Sequence, residues 1–546
     1  MKVVIIGGVA AGMSCAARLR RLDEQAQIVV FEKDEHVSFA NCGLPYHIGG
    51  VIRERERLLV QTPASLRASL NLDVRVLSEV TAIDRAARQV TVREAATGRT
   101  YLEAYDKLVL APGARPLRPP LPGIDHPAIF TLRNLADMDG ILARLQAGAK
   151  RAVVMGGYIG IEAAENLRRR GLEVTVLEKL PQLMGPLDPE MAQFLQEELV
   201  RHGVHVRTGC GVTGFADRAG AVVVQTEGGT EFEADLVIMA IGSLPQTALA
   251  AAAGLKLGPL GGLAVDARLR TSDSDIYAGG DAVETTEFVL GQTAYIPLAG
   301  PANRQGRIIA DNLCGRESCY RGTQGTSVLQ VFDLTVAMTG LNEKALRKTG
   351  QPYRKVYLSP LGHAGYYPGT APMRGKLLFT PDGARILGAQ IVGRDGVDKR
   401  IDVLATAMRG RLGVWDLEHL ELAYAPPYGS AKDPVNMLGF VACNLLRGDV
   451  AFWYAEERSH LSPEAVLLDV RGPDEFDAWH IPGAVNLPVG KLRSQHGTLD
   501  QARTYYVYCK VGLRSYLAYR ILKQLGFQVK TLAGGTDFFR AVFPGT

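Results

Sequence analysis

The 546-residue chain has no Cys-x-x-Cys pair: its seven cysteines, Cys15, Cys42, Cys210, Cys314, Cys319, Cys443 and Cys509, are odd in number and scattered. Neither a disulfide framework nor a zinc site is indicated, no metal is expected, and a reducing cytosol fits this usage. Charge of one sign is lacking too. Lys+Arg 61 against Asp+Glu 57 leaves +4 over a large surface, too dilute for the basic stripe of a nucleic-acid binder. No apolar run approaches the roughly 18 residues of a membrane span. The apolar start Val3-Val4-Ile5-Ile6 passes straight into Gly7-Gly8, without the cleavage pattern of a leader. A soluble, cytoplasmic protein with no nucleic-acid or membrane partner is expected. Hydrophobic residues make up 47% and charged residues 22%, which is ordinary for a globular chain, and the length argues for about three to five domains rather than one core. Glycine is in excess: 60 residues, about 11% against a usual ~7%, gathered in short clusters where backbone can approach a ligand closely.

Two stretches share one grammar. Val3 to Ile6 is a buried run, Ala10 to Leu22 has helical periodicity, and Ile28 to Phe31 is a second run ending at Glu32, which together read as a βαβ unit. The pattern returns as Ala152 to Met155, the turn Gly156-Gly157-Tyr158-Ile159-Gly160, a helix through Arg170, and Val174 to Leu177 ending at Glu178. The first fingerprint is Gly7-Gly8-Val9-Ala10-Ala11-Gly12, with Val9 in place of the middle glycine, and Glu32 follows Gly12 by 20 residues. Glycine permits the tight turn, the helix N-terminus faces a pyrophosphate, and the acid binds ribose hydroxyls. In the second, Met155 stands where the first glycine belongs, which a one-residue shortening of the strand–turn junction would explain. Glu178, 18 residues beyond Gly160, would repel a 2′-phosphate and so favours NADH over NADPH; a surface carboxylate at a strand end is the alternative. Strands stopped by turns at Leu108 to Gly113 and Leu236 to Gly242 bracket an inserted domain.

These two units, followed by Thr271-Ser272-Asp273-Ser274-Asp275-Ile276-Tyr277-Ala278-Gly279-Gly280-Asp281, resemble the two-dinucleotide-domain flavoprotein reductases of the pyridine nucleotide-disulfide family over about residues 1–445. The resemblance implies FAD in the first domain, with Asp281 bonding the flavin ribityl chain, and NADH in the second, NADPH being the alternative. It places cofactor contacts at Gly7, Gly8, Ala10, Ala11, Gly12, Glu32, Lys33, Ala111 and Gly113, at Gly157, Tyr158, Ile159, Gly160, Glu178 and Gly242, and at Asp281 and Ala299.

Chemistry is expected at Ser38-Phe39-Ala40-Asn41-Cys42-Gly43-Leu44-Pro45-Tyr46. Two-cysteine members of the family carry their second cysteine five positions on; here that position is His47, so no internal redox disulfide can form. A lone cysteine is often a small buried hydrophobe, but the flanking glycine and proline point to a turn opening a helix, whose N-terminus favours thiolate. The string is similar to the single-cysteine coenzyme A disulfide reductases, which hold a mixed Cys-S-S-CoA disulfide beside the flavin; Cys42 is then the nucleophile. That likeness implies CoA contacts at Ser14, Arg18, Arg21, Ser38, Asn41, Asn303 and Lys432. Cations suit CoA phosphates, although Arg18, Arg20 and Arg21 also fit a solvated helix face. The segments from His363 to Gly369 and from Tyr424 to Asp433 are similar as well, and imply that tyrosines of a partner subunit reach the active site. Tyr367 and Tyr424 are the candidates, either to give a proton to a departing thiolate or to pack the interface. A homodimer is expected.

Near the end, Asp469-Val470-Arg471, Glu475-Phe476, His480-Ile481-Pro482-Gly483-Ala484 and Tyr508-Cys509-Lys510-Val511-Gly512-Leu513-Arg514-Ser515 resemble a rhodanese domain over about residues 455–546. Four residues separate Cys509 from Arg514, the six-residue loop of sulfurtransferases rather than the seven of related phosphatases. Its backbone N–H groups form an anion nest, and Arg514 adds charge for a thiolate or persulfide. His480 is read as architectural, and an inactive docking domain is the alternative.

The expected fold is α/β: two Rossmann-like dinucleotide-binding domains (FAD, 1–112 with 241–315; NAD(P)H, 113–240), an α+β dimerisation domain (316–446) and a C-terminal α/β rhodanese domain (455–546). Function follows from the fusion. It implies that sulfane sulfur is loaded at Cys509, passed to a small thiol such as CoA, and reduced at Cys42 by NADH through FAD, with CoA persulfide and polysulfide expected as the main substrates ahead of CoA disulfide. The rivals are an NADH oxidase or peroxidase cycling Cys42 through sulfenic acid, and a non-catalytic redox-sensing protein.

Overall fold

A computed structural model describes residues 1–545 and divides into two compact units. Unit 1 comprises Met1–Lys179 and Gly203–Gly325; unit 2 comprises Leu180–His202 and the chain from Thr326 onward. No helix among the described residues is long and apolar enough to cross a membrane.

Along unit 1 run β1 (Lys2–Ile6), α1 (Ala10–Leu22), β2 (Gln27–Phe31), α2 (Leu44–Ile48), β3 (Asp73–Arg75), β4 (Lys107–Leu110), β5 (Ile129–Phe130), β6 (Arg151–Met155), α3 (Gly157–Arg169), β7 (Glu173–Leu177), β8 (Val204–Arg207), β9 (Leu236–Met239), β10 (Ile276–Ala278) and α4 (Ala299–Leu313). They form two parallel sheets, ordered β10-β4-β1-β2-β3 and β8-β7-β6-β9-β5. Strands covered on both faces need apolar side chains throughout, and Val3, Val4 and Ile5 are fully buried, as is Val154. In the first sheet Ile6 pairs with Phe31, so Gly7 and Glu32 leave neighbouring strands side by side. In the second, Met155 pairs with Leu177 and sets Gly156 beside Glu178. Both junctions lie at the carboxyl ends of the strands, where such sheets bind ligands.

Unit 2 contains β11 (Ser327–Val331), β12 (Leu334–Gly340), β13 (Arg354–Leu358), β14 (Arg374–Phe379), β15 (Ile386–Gly393), β16 (Phe452–Trp453), β17 (Val466–Asp469), β18 (Val485–Asn486), β19 (Thr504–Tyr508), α5 (Leu513–Gln524), β20 (Gln528–Leu532) and α6 (Gly535–Val542). An antiparallel sheet has the order β11-β12-β15-β14-β13, and a parallel one the order β16-β20-β19-β17-β18. The parallel sheet begins at Phe452, three residues before the expected boundary at 455, because β16 pairs with β20 and Trp453 is fully buried.

The helix Pro189–Arg201, which falls inside the expected 113–240 domain, belongs to unit 2. A buried ion cluster holds its start. Lys376 of β14 is 0% exposed and its Nζ contacts Asp188 Oδ2 at 2.7 Å, Glu190 Oε1 at 2.5 Å and Glu343 Oε1. Burial alone would push the ammonium down, but Glu190, Asp188 and Glu343 hold it well above the ordinary lysine range. Tyr357 donates to Glu190 (2.9 Å), and Gln390 Nε2 donates to Asp188 (2.8 Å). The polar periphery extends to the C-terminal sheet through Lys355, which contacts Glu456 at 2.5 Å and accepts a bond from the Tyr454 hydroxyl on its carbonyl (2.8 Å).

Removing one member of a buried ionic group leaves its partners uncompensated, at a cost of about 3–5 kcal/mol. Lys376→Ala is therefore expected to lower the urea midpoint of unit 2 by that free energy, with an unchanged slope. All three tryptophans, Trp415, Trp453 and Trp479, lie in unit 2, so intrinsic fluorescence follows this unit; an unchanged midpoint would show that the cluster is dispensable.

Candidate active sites

At the first junction, Gly12 packs its Cα so tightly on the turn that a Cβ would overlap the Gly7 carbonyl. Gly8 N–H donates to Glu32 Oε2 (2.8 Å) and Asp34 N–H to Glu32 Oε1 (3.0 Å). Burial raises the Glu32 carboxyl while these backbone donors oppose the rise. Ala10 and Ala11 open α1, Lys33 is exposed beyond Glu32, Ala111 and Gly113 follow β4, and Ala299 opens α4. Asp281 follows β10; its carboxyl is raised by burial, opposed by Arg133, and accepts no hydrogen bond among the described residues. A glycine floor without side chains, an acid beside it and an unused, half-buried acceptor fit a flavin dinucleotide with its ribityl hydroxyls as donors.

The second junction explains Met155. This residue is simply the last of β6, 6% exposed, and Gly156, at φ +55°, takes the place that Gly7 holds in the first sheet. Counted from those two residues, α3 starts one residue later and α1 three, so the second turn is shorter, as its sequence suggests. Gly157, Tyr158, Ile159 and Gly160 form the first turn of α3, Glu178 follows β7, and Gly242 follows β9.

Cys42 sits in a single helical turn, Asn41–Gly43, that leads into the five-residue α2. Leu44 and Ile48 anchor α2 in the core (1% and 0% exposed) and leave Cys42 at the surface as a free thiol. The expected thiolate-favouring helix start is overridden. Desolvation raises the Cys42 thiol, and the negative charges of Glu162 and Asp281 raise it further; a one-turn helix has too small a dipole to compete. Cys42 and Asp281, far apart in sequence, are thus close enough in the fold to interact.

Glu162 and Tyr46 are functional candidates that sequence reasoning missed. The Tyr46 hydroxyl approaches Glu162 Oε1 at 3.4 Å. Burial lifts the Glu162 carboxyl to about 7, against the Tyr46 hydrogen bond and with Glu165 adding to the rise. Tyr46 itself is pushed to about 12, by burial and then by Glu162. Only the folded chain pairs a residue in the cysteine string with one on α3. At the position of the missing second cysteine, His47 directs Nδ1 at Ile52 O (2.7 Å).

Of the expected CoA contacts, Ser14 donates to Asn303 Oδ1 at 2.5 Å, joining α1 to α4. Arg18 is already committed to Asp311 (Nε to Oδ1, 2.9 Å), because α4 presents an acid opposite it. Arg21 is exposed, with no ion pair among the described residues. Ser38 adopts φ +46° and Asn41 lies next to the thiol. Lys432, exposed, is in unit 2. There Tyr424 hydrogen-bonds Tyr366 (2.8 Å), and Tyr367 stands edge-on to His363 (5.6 Å, 79°). Tyr366 is 76% exposed and Tyr424 47%.

In the C-terminal sheet Cys509 follows β19 and is fully buried. Its Sγ accepts N–H bonds from Gly512 (3.2 Å) and Ser515 (3.3 Å). Arg514 is gripped by Glu475 through two bonds, 2.5 and 2.8 Å, which holds the Glu475 carboxyl down at about 2. Asp469 and Arg471 form a buried fork (2.6 Å) behind the loop. His480 stacks on Phe476 (3.9 Å) and bonds the Phe476 carbonyl through Nδ1, an architectural contact.

Glu162 stays protonated until pH passes about 7, so its charge opposes Cys42 ionisation only above that pH. Its raised value also favours the fold in acid: the contribution is complete below the ordinary 4.5 and is lost as pH rises through about 7. In Glu162→Gln the midpoint for iodoacetamide alkylation of reduced Cys42 is expected to fall by about half a pH unit or more, the two rate profiles diverging above neutrality. Superimposable profiles would exclude the electrostatic link.

The sequence matches the pyridine nucleotide-disulphide oxidoreductase family over residues 1–306, its dimerisation domain over 326–433 and the rhodanese-like domain over 454–541. A coenzyme A disulfide reductase of Staphylococcus haemolyticus is 37% identical over 447 residues, covering 81% of this chain and 100% of its own length. Among solved structures, reduced Bacillus anthracis CoADR-RHD superposes with a TM-score of 0.97 at 47% identity, over 100% of this chain and 98% of that one. A NAD-dependent persulfide reductase from A. fulgidus gives 0.94 at 39% identity, over 98% and 100%. Two glycine junctions, an exposed thiol after the first of them and a nested second thiol thus have one common explanation, and the chain belongs to the pyridine nucleotide-disulphide oxidoreductase family, extended by a rhodanese-like domain.

Proposed function

We propose that the protein reduces sulfane sulfur, as CoA persulfide or polysulfide, and CoA disulfide at the expense of NADH, and that its C-terminal domain transfers sulfur. The observation that supports this most is Cys42, an exposed free thiol coupled to Asp281, with histidine where a second cysteine would be. Such a thiol must take its second sulfur from the substrate. FAD, held by the glycine floor, Glu32 and Asp281, would supply the electron pair that it receives from NADH.

The chain's own groups perform the rest. Cys42 thiolate attacks one sulfur of the substrate S–S bond; that bond breaks, and the departing thiolate or hydrosulfide takes a proton. Cys42 is left as a mixed disulfide or persulfide; two electrons break that new S–S bond, releasing the retained sulfur as a thiolate or hydrosulfide that takes a proton, and return Cys42 to thiolate. Exchange is faster when the leaving sulfur is the weaker base, which favours hydrosulfide over an alkyl thiolate and makes persulfide the main substrate. Tyr424, hydrogen-bonded to Tyr366, is a suitable proton donor. In a homodimer built on the dimerisation domain, the second subunit would bring this pair to the site. Ser14, Asn303, Arg21, Ser38 and Asn41 would hold CoA, with Arg21 as the α1 cation available to its phosphates. Glu178 supports NADH over NADPH through repulsion of a 2′-phosphate. The seven free cysteines suit a reducing cytoplasm.

Cys42→Ser is expected to abolish NADH oxidation with CoA persulfide, polysulfide and CoA disulfide. Cys509→Ser should spare CoA persulfide reduction and remove sulfur transfer from thiosulfate. Rates measured side by side on the three substrates decide which of them the enzyme is built for. CoA disulfide preferred by a wide margin would overturn the persulfide reading, and equal loss of both activities in Cys509→Ser would overturn the division of labour.

A further inference from the structure

The first turn of α6 lies behind the Cys509 loop and is bonded to its backbone. Thr536 N–H donates to the Cys509 carbonyl (2.9 Å), and Asp537 N–H donates to the Lys510 carbonyl (3.1 Å). Contact is closest at Gly535, where a Cβ would fall 2.5 Å from the Lys510 carbonyl oxygen and 2.6 Å from that of Cys509. The donors to Cys509 Sγ, the Gly512 and Ser515 N–H groups, sit on the far side of the same short loop. A tilt of α6 therefore re-aims the groups that hold the sulfur.

The terminal sheet does not hold α6 alone. Phe538 meets Phe194 of the Pro189–Arg201 helix edge-on (5.6 Å, 86°) and lies 4.4 Å from Tyr357 of β13. Arg374 of β14 directs Nη2 at Asp537 Oδ2, 3.4 Å away, with its guanidinium 5.0 Å over the Phe194 ring. Arg374 Nε is buried without a hydrogen bond among the described residues, a desolvation cost that the pairing with Asp537 has to offset.

We propose that Arg374, acting through Asp537, is a positioning residue for the Cys509 loop, so that the dimerisation domain sets the geometry of the sulfur nest in the rhodanese-like domain. This rests on the reading that the C-terminal domain transfers sulfur. Two physical effects point the same way when Arg374 is lost. The first turn of α6 is released, and the Asp537 carboxylate, one residue beyond the Thr536 N–H that bonds the Cys509 carbonyl, is left without its counter-charge. The other charged groups on or against the loop, Lys510, Arg514 and Glu475, are unaltered by the substitution.

The test uses the full-length holoenzyme with thiosulfate as donor and cyanide as acceptor. Arg374→Gln and Asp537→Asn should each lower kcat about five- to tenfold, the double variant should be no slower than the slower single one, since one pair is broken once, and Arg374→Lys should recover most of the rate. In Arg374→Gln the pH midpoint for alkylation of Cys509, followed on its peptide by mass spectrometry, should rise. NADH-driven reduction of CoA disulfide by the same preparation should keep its wild-type rate and so certify the fold. Unchanged transfer and alkylation in Arg374→Gln, or losses that multiply in the double variant, would overturn the proposal. A wild-type protein without sulfur transfer would instead overturn the sulfurtransferase reading, and the Cys509 alkylation midpoint would then decide the coupling by itself.

Discussion

Everything in unit 1 depends on strand register. Because neighbouring strands are parallel and in step, the residue after one strand and the residue after the next emerge together at one edge: Gly7 with Glu32, and Gly156 with Glu178. That pairing supplies a backbone surface free of side chains and an acid at a fixed distance from it. The same edge receives β4 and β10, and with β10 comes Asp281. A helix N-terminus alone would bind any anion weakly; the floor, the acid and the half-buried acceptor together suit a molecule with a pyrophosphate and several hydroxyls.

Most of this was legible in the sequence for a physical reason. Parallel strands buried on both faces are written as short apolar runs, and the turn between strand and helix is written in glycine, so both βαβ units, and even the shortened second turn, stand out without a structure. The Cys509 loop is equally local: six residues contain the sulfur and its charged neighbour. What could not be read is pairing across long separations. Glu162 faces the cysteine string from α3, Arg18 finds Asp311 on α4, and Tyr424 bonds Tyr366 rather than its chain neighbour Tyr367, because a loop decides which of two adjacent phenols turns toward a partner. The Pro189–Arg201 helix follows the second nucleotide unit in sequence, yet its acids answer to Lys376, a residue nearly two hundred positions away.

The two chemically important sulfurs differ in the way their charge is managed. Cys42 is accessible but electrostatically discouraged, with burial and two carboxylates raising its thiol. Cys509 is buried but accommodated, with two amide donors aimed at its sulfur. Under the proposed roles, a thiol that meets bulky disulfides and is released on every turnover suits the first environment, and one that retains a transferable sulfur between encounters suits the second.

The join between the halves of unit 2 has an evolutionary consequence. Helix Pro434–Arg447 ends on Gly448 in a left-handed conformation, and two residues later Val450 is already 3% exposed in the core of the last sheet. The step from the dimerisation domain to the rhodanese-like domain is therefore marked by a single glycine. Recombination downstream of that hinge would strip β16 from the appendage and bare β20 as an unprotected edge, the kind of exposed strand that templates aggregation.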